Sequence, residues 1–508
     1  MSRSVVGGWS DQETMRKLSP IALVLIALGA MAVGGPVMLL IPIAALGSLF
    51  LLTTSLGRLL MLCFGVLVMF GSSVFSAPVR SLFTIMLFVG LPLAGHSILQ
   101  RARSTRINLR GYLIPIFFLF SVPFLSLFAA ALYATDLVMW IRDGTTFILI
   151  PVSVVYALDA GLSVRSITLQ RIFTLVGLVG GLGYLLTWLA FRGQVQIPGG
   201  VPLLSSSMLV VPVISMCLAL YFTSSSRRRY MWAAIAAILV LLLVGAGGRS
   251  ALLYLGATLL VAVAVATRAR RGLLRLAILL VVAAIVLSGF YRIYASFVGP
   301  QFLSGRFDWF TEASWEAITD DASGQDRVRA YSIMWNSFLE KPLLGNGFGY
   351  NYPSVSATGI ELFTLDSPLV YLAKFGLIGA AVVLLSLAGI VDATIKQSKH
   401  SPHRLRIVLM NASAVAAWVA ILPSGAPTEQ KGFGVGLALL VALSIAWNRE
   451  SSCQPIVRRE AGRRIEVRGR SHRVTRRPDR AQTDCPETTD NCTPASQPEP
   501  REVRAQHA

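Results

Sequence analysis

Apolar residues run in long blocks along this chain, and polar residues gather between the blocks. The pattern gives about fourteen runs of membrane-spanning length. They lie near 20–35, 37–56, 59–76, 81–99, 111–133, 144–160, 172–190, 205–223, 231–247, 250–267, 273–290, 366–390, 405–422 and 432–447. The runs show no strict alternation, and in lipid each backbone polar group must be satisfied within its own segment, so helices are predicted. The expected fold is all-α: a polytopic membrane bundle of about 12–14 transmembrane helices. One long polar excursion interrupts it at 291–365 and is read as a large external loop containing short amphipathic helices. The expected order is a cytoplasmic N-terminus at 1–19, a transmembrane bundle at 20–290, the loop at 291–365, C-terminal transmembrane helices at 366–447 and a basic cytoplasmic tail at 448–508. The tail has too few large apolar residues to bury a core and is expected to be disordered.

Composition agrees with this reading. Of 508 residues, 54% are hydrophobic and 14% charged, and the mean hydropathy is +0.65. The formal net charge of +20 does not point to nucleic acid, because the basic residues sit on alternate connections. They are Arg58, the run 101–110, Arg165 and Arg171, Arg227 to Arg229, Arg268 to Arg275, Lys396 to Arg406, and the tail. Cytoplasmic connections of membrane proteins carry such an excess. The bias puts these connections inside, and puts 245–250 and 291–365 outside. Most charges are expected in connections, with Lys374 the main exception. The cysteines, Cys63, Cys217, Cys453, Cys485 and Cys492, have neither metal-ligand nor framework spacing. The N-terminus is read as a retained cytoplasmic start, since no small-residue cleavage site follows its first apolar run.

Candidate chemistry then falls on the outer face. Arg249 stands in GAGGRSALLYL, at the start of a span. A guanidinium beside free helix N–H groups favours an anion; an arginine reaching to lipid headgroups is the alternative. In the loop, aromatics alternate with Asp308, Glu312, Glu316, Asp320 and Asp321, which fits either a solvated face or a sugar-binding surface. Apolar spacing predicts a helix from Arg327 to Leu339, ended by Pro342, Gly345, Gly347 and Gly349. Arg327 and Arg329 would lie in its first turn, as a phosphate clamp or as partners of nearby aspartates. Asp366 opens the next span, as an N-cap or as an ionisable group at the outer face. Lys374, two turns on, either reaches the headgroups or lines a cavity. Walker, dinucleotide, HExxH and GxSxG motifs are absent, and no histidine lies in the loop.

Three pieces, in order, resemble the bacterial O-antigen polymerase and O-antigen ligase superfamily. They are GGRS at 247–250, Arg327 ahead of PLLGNGFG at 342–349, and DSPLVYLAKFGLIG at 366–379. The overall plan resembles it over roughly 20–447. The resemblance implies a glycosyltransferase that uses no metal or cofactor and acts at the outer face of the bacterial inner membrane. Its donor and acceptor would be undecaprenyl-diphosphate-linked oligosaccharides, and a chain-length regulator is a candidate partner. Arg249, Arg327 and Arg329 would bind the diphosphate, with Arg249 stabilising the charge that develops on it. Ligases of this group carry a histidine where Asp366 stands here. That departure leans towards a polymerase of surface polysaccharide, with Asp366 handling the acceptor proton. The alternatives are a ligase that passes the glycan to another acceptor, and a transporter or flippase of the lipid-linked glycan.

Overall fold

The computed structural model describes residues 49–69, 77–102, 109–133, 136–191, 203–224, 226–246, 249–266, 322–353 and 367–471, with a few isolated positions besides. Among them every regular element is a helix: α1 (Ser55–Met69), α2 (Ala77–Ala102), α3 (Arg110–Leu132), α4 (Leu137–Ser163), α5 (Ser166–Phe191), α6 (Ser207–Thr223), α7 (Arg228–Gly245), α8 (Arg249–Ala266), α9 (Ala322–Glu340), α10 (Val370–Gln397), α11 (Arg404–Ile421) and α12 (Gly432–Ser471). Eight described helices are long and apolar enough to cross a membrane, and Ser55–Met69, Ser207–Thr223 and Leu253–Ala264 are shorter apolar helices. The protein is an all-α, multi-pass membrane protein. The spans expected near 20–35 and 273–290, most of the one near 37–56, and the short helices expected at 291–321 lie outside the described residues. The bundle belongs to the first of two compact units, Met1–Gln454; in the second, Pro455–Ala508, residues as far as Ser471 are helical.

Packing follows burial. The apolar stretches of α4 and of Gly432–Ser451 in α12 are 83% and 89% buried, so these helices fill the middle. α3 lies against α10, α8 against α11, and α6 against α7 and α11. The far face of α3 shows Phe117, Phe124 and Phe128 outward. In a membrane that face meets acyl chains, which is why so apolar a helix is stable there.

Hydrogen bonds tie the connections at each end together. At one end Arg449 donates to the carbonyls of Leu162 and Val164, Ser166 donates to Glu450, and Arg406 donates to Thr223. At the other end Ser206 donates to Gln430, Leu204 to the Leu67 carbonyl, and Tyr331 to the Pro423 carbonyl. The second end is the one the charge bias assigns to the outside, and it is called the outer end below.

Two expectations about charge are corrected. Arg58 was expected in a connection, but it lies within α1 and is 2% exposed. Its Nε donates to Asp159 Oδ2 at 3.0 Å, and Ser55 donates to the other carboxylate oxygen at 2.9 Å. A guanidinium satisfied by a carboxylate needs no water, so the helix starts earlier than the apolar run does. Nor is Lys374 the main charge within the helices, since Asp143, Asp159 and Arg58 are buried there too.

One irregularity shapes the outer end. α10 is broken at Gly376, whose φ of 62° and ψ of −172° belong to a region that side chains other than glycine avoid. An unbroken helix would bond Leu377 N–H to Ala373 and Ile378 N–H to Lys374. Here the turn 342–347 takes all four groups. Asn346 and Gly347 donate to the carbonyls of Ala373 and Lys374 at 2.9 and 2.8 Å, while Leu377 and Ile378 donate to Pro342 and Leu343 at 2.8 and 3.3 Å. Irregular backbone at this depth is stable because protein, not lipid, satisfies it.

Candidate functional site

The turn that fills the broken helix also reaches α3 and α4. Phe348 N–H donates to Ser126 Oγ at 2.7 Å, and Gly349 N–H to Asp143 Oδ2 at 2.9 Å. The Phe348 ring is fully buried among Trp140, Phe147 and Phe375, with centroids 6.0, 5.8 and 5.2 Å away. Gly349 has φ +80°, and a Cβ there would meet the backbone nitrogen of Trp140 at 2.5 Å. Glycine at that position lets the loop come close enough to α4 to cap Asp143.

Asp143 belongs to a buried triad. Lys374, with no exposed surface, places Nζ 2.8 Å from Asp143 Oδ1 and 2.9 Å from Glu429 Oε2. α4, α10 and the connection between α11 and α12 each supply one member. Two carboxyl groups share one ammonium. Burial pushes the Glu429 carboxyl above the usual carboxylate range, with Lys374 pulling it back and Asp143 adding to the rise. Tyr352 and Tyr371 face the same carboxylate; burial and then Asp143 push the Tyr352 hydroxyl well above its ordinary value. Thr428 donates to Tyr371 Oη at 2.9 Å.

Glu429 opens onto a cavity of about 330 Å³. Tyr184, Ser205, Ser206, Ser207, Tyr254, Gln430 and Lys431 line it with Glu429. Hydroxyls, an amide, a carboxylate, an ammonium and two phenol rings fit a polar, polyhydroxylated ligand better than an acyl chain. The volume lies at the lower end of the range for small-molecule sites.

The expected site residues fall as follows. Arg249 is the first residue of α8, and Tyr254, five residues on, stands in the cavity wall. That separation is about 7.5 Å of helical rise. Arg327 and Arg329 lie on α9, but the helix begins at Ala322, five residues ahead of the expected start. They therefore sit in its second turn, where the N–H groups are already bonded within the helix, so the helix terminus adds nothing to a clamp there. Arg327 is half-buried, and its Nε is buried without a hydrogen-bond partner among the described residues; Arg329 is exposed. Tyr331, one turn beyond Arg327, holds the Pro423 carbonyl at 3.0 Å, which docks α9 on the connection that carries Glu429. Asp366 lies outside the described residues. α10 starts at Val370 with Leu369 as its N-cap, and Ser367 Oγ accepts from Leu369 N–H at 3.2 Å. Lys374 was left between headgroup and cavity. It reaches neither directly: it has no exposed surface, and its ammonium is held by Asp143 and by Glu429, which itself stands in the cavity wall.

Residues 234–384 match the model of a family described as O-antigen ligase. That match places the segment with the O-antigen polymerase and ligase superfamily. It covers less than a third of the chain, and no curated protein matches the sequence. The O-antigen ligase segment holds α8 with Arg249, α9 with Arg327 and Arg329, the 342–349 turn and the broken half of α10. Its assignment is to lipid-linked glycan processing of the ligase or polymerase kind. Asp143, Glu429 and every cavity-lining residue except Tyr254 lie outside it. The site is thus built from the family segment and from chain that the match does not reach. Sequence reading missed Asp143 and Glu429. Each does carry a signal, since a lone acid at the edge of an apolar run, as in IRDGTTF and PTEQKGF, calls for a buried partner.

Proposed function

We propose that this protein is a membrane glycosyltransferase that joins lipid-diphosphate-linked oligosaccharide repeat units into a surface polysaccharide, at the outer face of a bacterial inner membrane. The observation that carries the reading is the place of Arg249. It opens the helix that walls a polar, sugar-compatible cavity, within the segment that matches the O-antigen ligase family. In this reading the hydroxyl of one unit attacks the anomeric carbon of another, a carbon–oxygen bond forms, and the lipid diphosphate leaves with the electrons of the bond that breaks. Arg249 binds that diphosphate and stabilises its growing charge. Arg327, whose buried Nε has no hydrogen-bond partner among the described residues, assists it, and Arg329 contributes from an exposed position on the same helix. Asp366 takes the acceptor proton. Lipid-linked repeat units are both donor and acceptor, and a chain-length regulator of the same pathway is a candidate partner.

A ligase that passes finished chains to another acceptor is the second reading, favoured by the description of the matched family as O-antigen ligase. The transporter alternative expects charges lining a path; the buried charges here are closed on one another instead, Lys374 with Asp143 and Glu429, and Arg58 with Asp159. Deleting the gene and analysing the glycolipids separates the readings. A polymerase leaves single lipid-linked repeats at the outer face. A ligase leaves long lipid-linked chains, and a flippase leaves repeats at the inner face.

A further inference from the structure

The buried triad has a feature that packing does not require. A lysine and one carboxylate would close a neutral pair, yet Lys374 holds two, and the second, Glu429, stands in the wall of the cavity. Asp143 spends one oxygen on Lys374 and the other on Gly349 N–H, and it is not among the residues that line the cavity. Glu429 gives only Oε2 to Lys374. Its connection is held in place on two sides, by Thr428 on Tyr371 and by Ser206 on Gln430. The charged and titratable groups that face Glu429 are Lys374 and Asp143 from α10 and α4, Tyr371 from α10 and Tyr352 from the 342–353 turn. Lys431, Tyr184 and Tyr254 complete the cavity wall around it.

We propose that the cavity is a subsite for a sugar unit of the substrate, that Glu429 accepts a hydrogen bond from a sugar hydroxyl there, and that Lys374 is the positioning residue that holds the Glu429 carboxyl group in the cavity wall. The ligand chemistry is read from the walls: an anionic acceptor, serine hydroxyls and an amide for hydroxyl groups, and the rings of Tyr184 and Tyr254 for the apolar face of a pyranose. The same lysine places its backbone carbonyl on Gly347, so the turn–helix joint and the cavity carboxylate are set by one residue. The inference rests on the glycosyltransferase reading and adds which part of the substrate binds where.

The test uses the full-length protein in proteoliposomes and lipid-linked repeat units extracted from the deletion strain. If that strain accumulates no such units, the glycosyltransferase reading fails on its own, before the subsite is examined. With units in hand, Glu429→Gln should raise the substrate concentration needed for half-maximal rate by about tenfold or more, the weight of a hydrogen bond to a charged group. It should also remove the part of the acid limb of the pH profile that Glu429 supplies, leaving the part set by Asp366. Lys374→Met should move that limb to higher pH, because the cation that favours the ionised carboxylate is gone while Asp143 remains beside it. Lys374→Arg should keep the limb where it is. Should Lys374→Met fail to reach the membrane, Lys374→Met combined with Asp143→Asn relieves the unpaired charge and serves in its place. An unchanged half-saturation for Glu429→Gln, or a Lys374 variant whose rate falls equally at every pH, would overturn the proposal.

Discussion

Leu377 donates its N–H to the carbonyl of Pro342 at 2.8 Å, a bond that an unbroken helix would have given to Ala373. A helix and a distant turn therefore share one ladder, and the PLLGNGFG sequence is the part that completes it. Gly376 makes the joint possible. A Cβ there would lie 2.2 Å from the Leu343 carbonyl oxygen, on top of a backbone conformation nearly confined to glycine. Gly376→Ala should destabilise the protein by roughly 1–3 kcal/mol from backbone strain alone. The expected result is less protein in the membrane and a lower melting temperature in detergent, read on a fluorescent fusion. Gly379→Ala is a weaker companion, because a Cβ there meets only the Phe375 side chain of its own helix.

The inner-end pair supplies a contrast. Arg58 and Asp159 are 2% and 0% exposed, and removing the arginine leaves a buried carboxylate without its main partner. Arg58→Met should cost about 3–5 kcal/mol. Because this pair sits at the opposite end from the cavity, activity per folded molecule should hold while the amount of protein drops. Immunoblotting of membranes beside the transfer rate per unit protein checks this.

The cavity can be filled without touching the triad. Ser205 is half-buried and lines it. Ser205→Phe should leave melting within about 1 kcal/mol of the parent, since the cavity itself has room for the ring. Transfer should fall at least tenfold. Normal transfer with the cavity blocked would remove the cavity from the account.

The two arginines of α9 should separate. Arg327 is half-buried with an unpartnered Nε, and Arg329 is exposed. Arg327→Lys loses the planar fork and should lower the rate by one to two orders of magnitude, the scale expected when one stabilising donor is removed. Arg329→Lys keeps an exposed cation and should cost less than about fivefold, an exposed ion contact being worth about 1 kcal/mol or less.

Much of the fold was legible because lipid imposes a strict rule on sequence. Blocks such as Arg110–Leu132 and Arg404–Ile421 appear at nearly the positions where their apolar runs stand. Bonds such as Arg449 to Leu162 and Ser206 to Gln430 join connections that the charge bias puts on the same side. What was not legible depended on pairing. Arg58 looks like a connection residue until Asp159, a hundred positions on, accounts for its burial. Lys374 could not be interpreted without Asp143 and Glu429, which arrive from two other parts of the chain. The break at Gly376 was hidden for a similar reason. KFGLIG reads as continuous helix, and only the turn at 342–347 makes a broken one stable. Helix starts were misread where polar residues precede the apolar run, as at Ala322 ahead of Arg327, since helix propensity there is local and the apolar period begins later.

The most direct test of the account is polysaccharide length in the producing strain carrying Arg249→Ala, with protein level followed by immunoblot. The account predicts a normal amount of protein and single, unpolymerised repeat units on the lipid carrier. Long chains that are made but never attached would shift the reading to a ligase. Long chains made and attached as in the parent strain would contradict it, for then Arg249 binds no diphosphate and the cavity has lost the residue that ties it to the family.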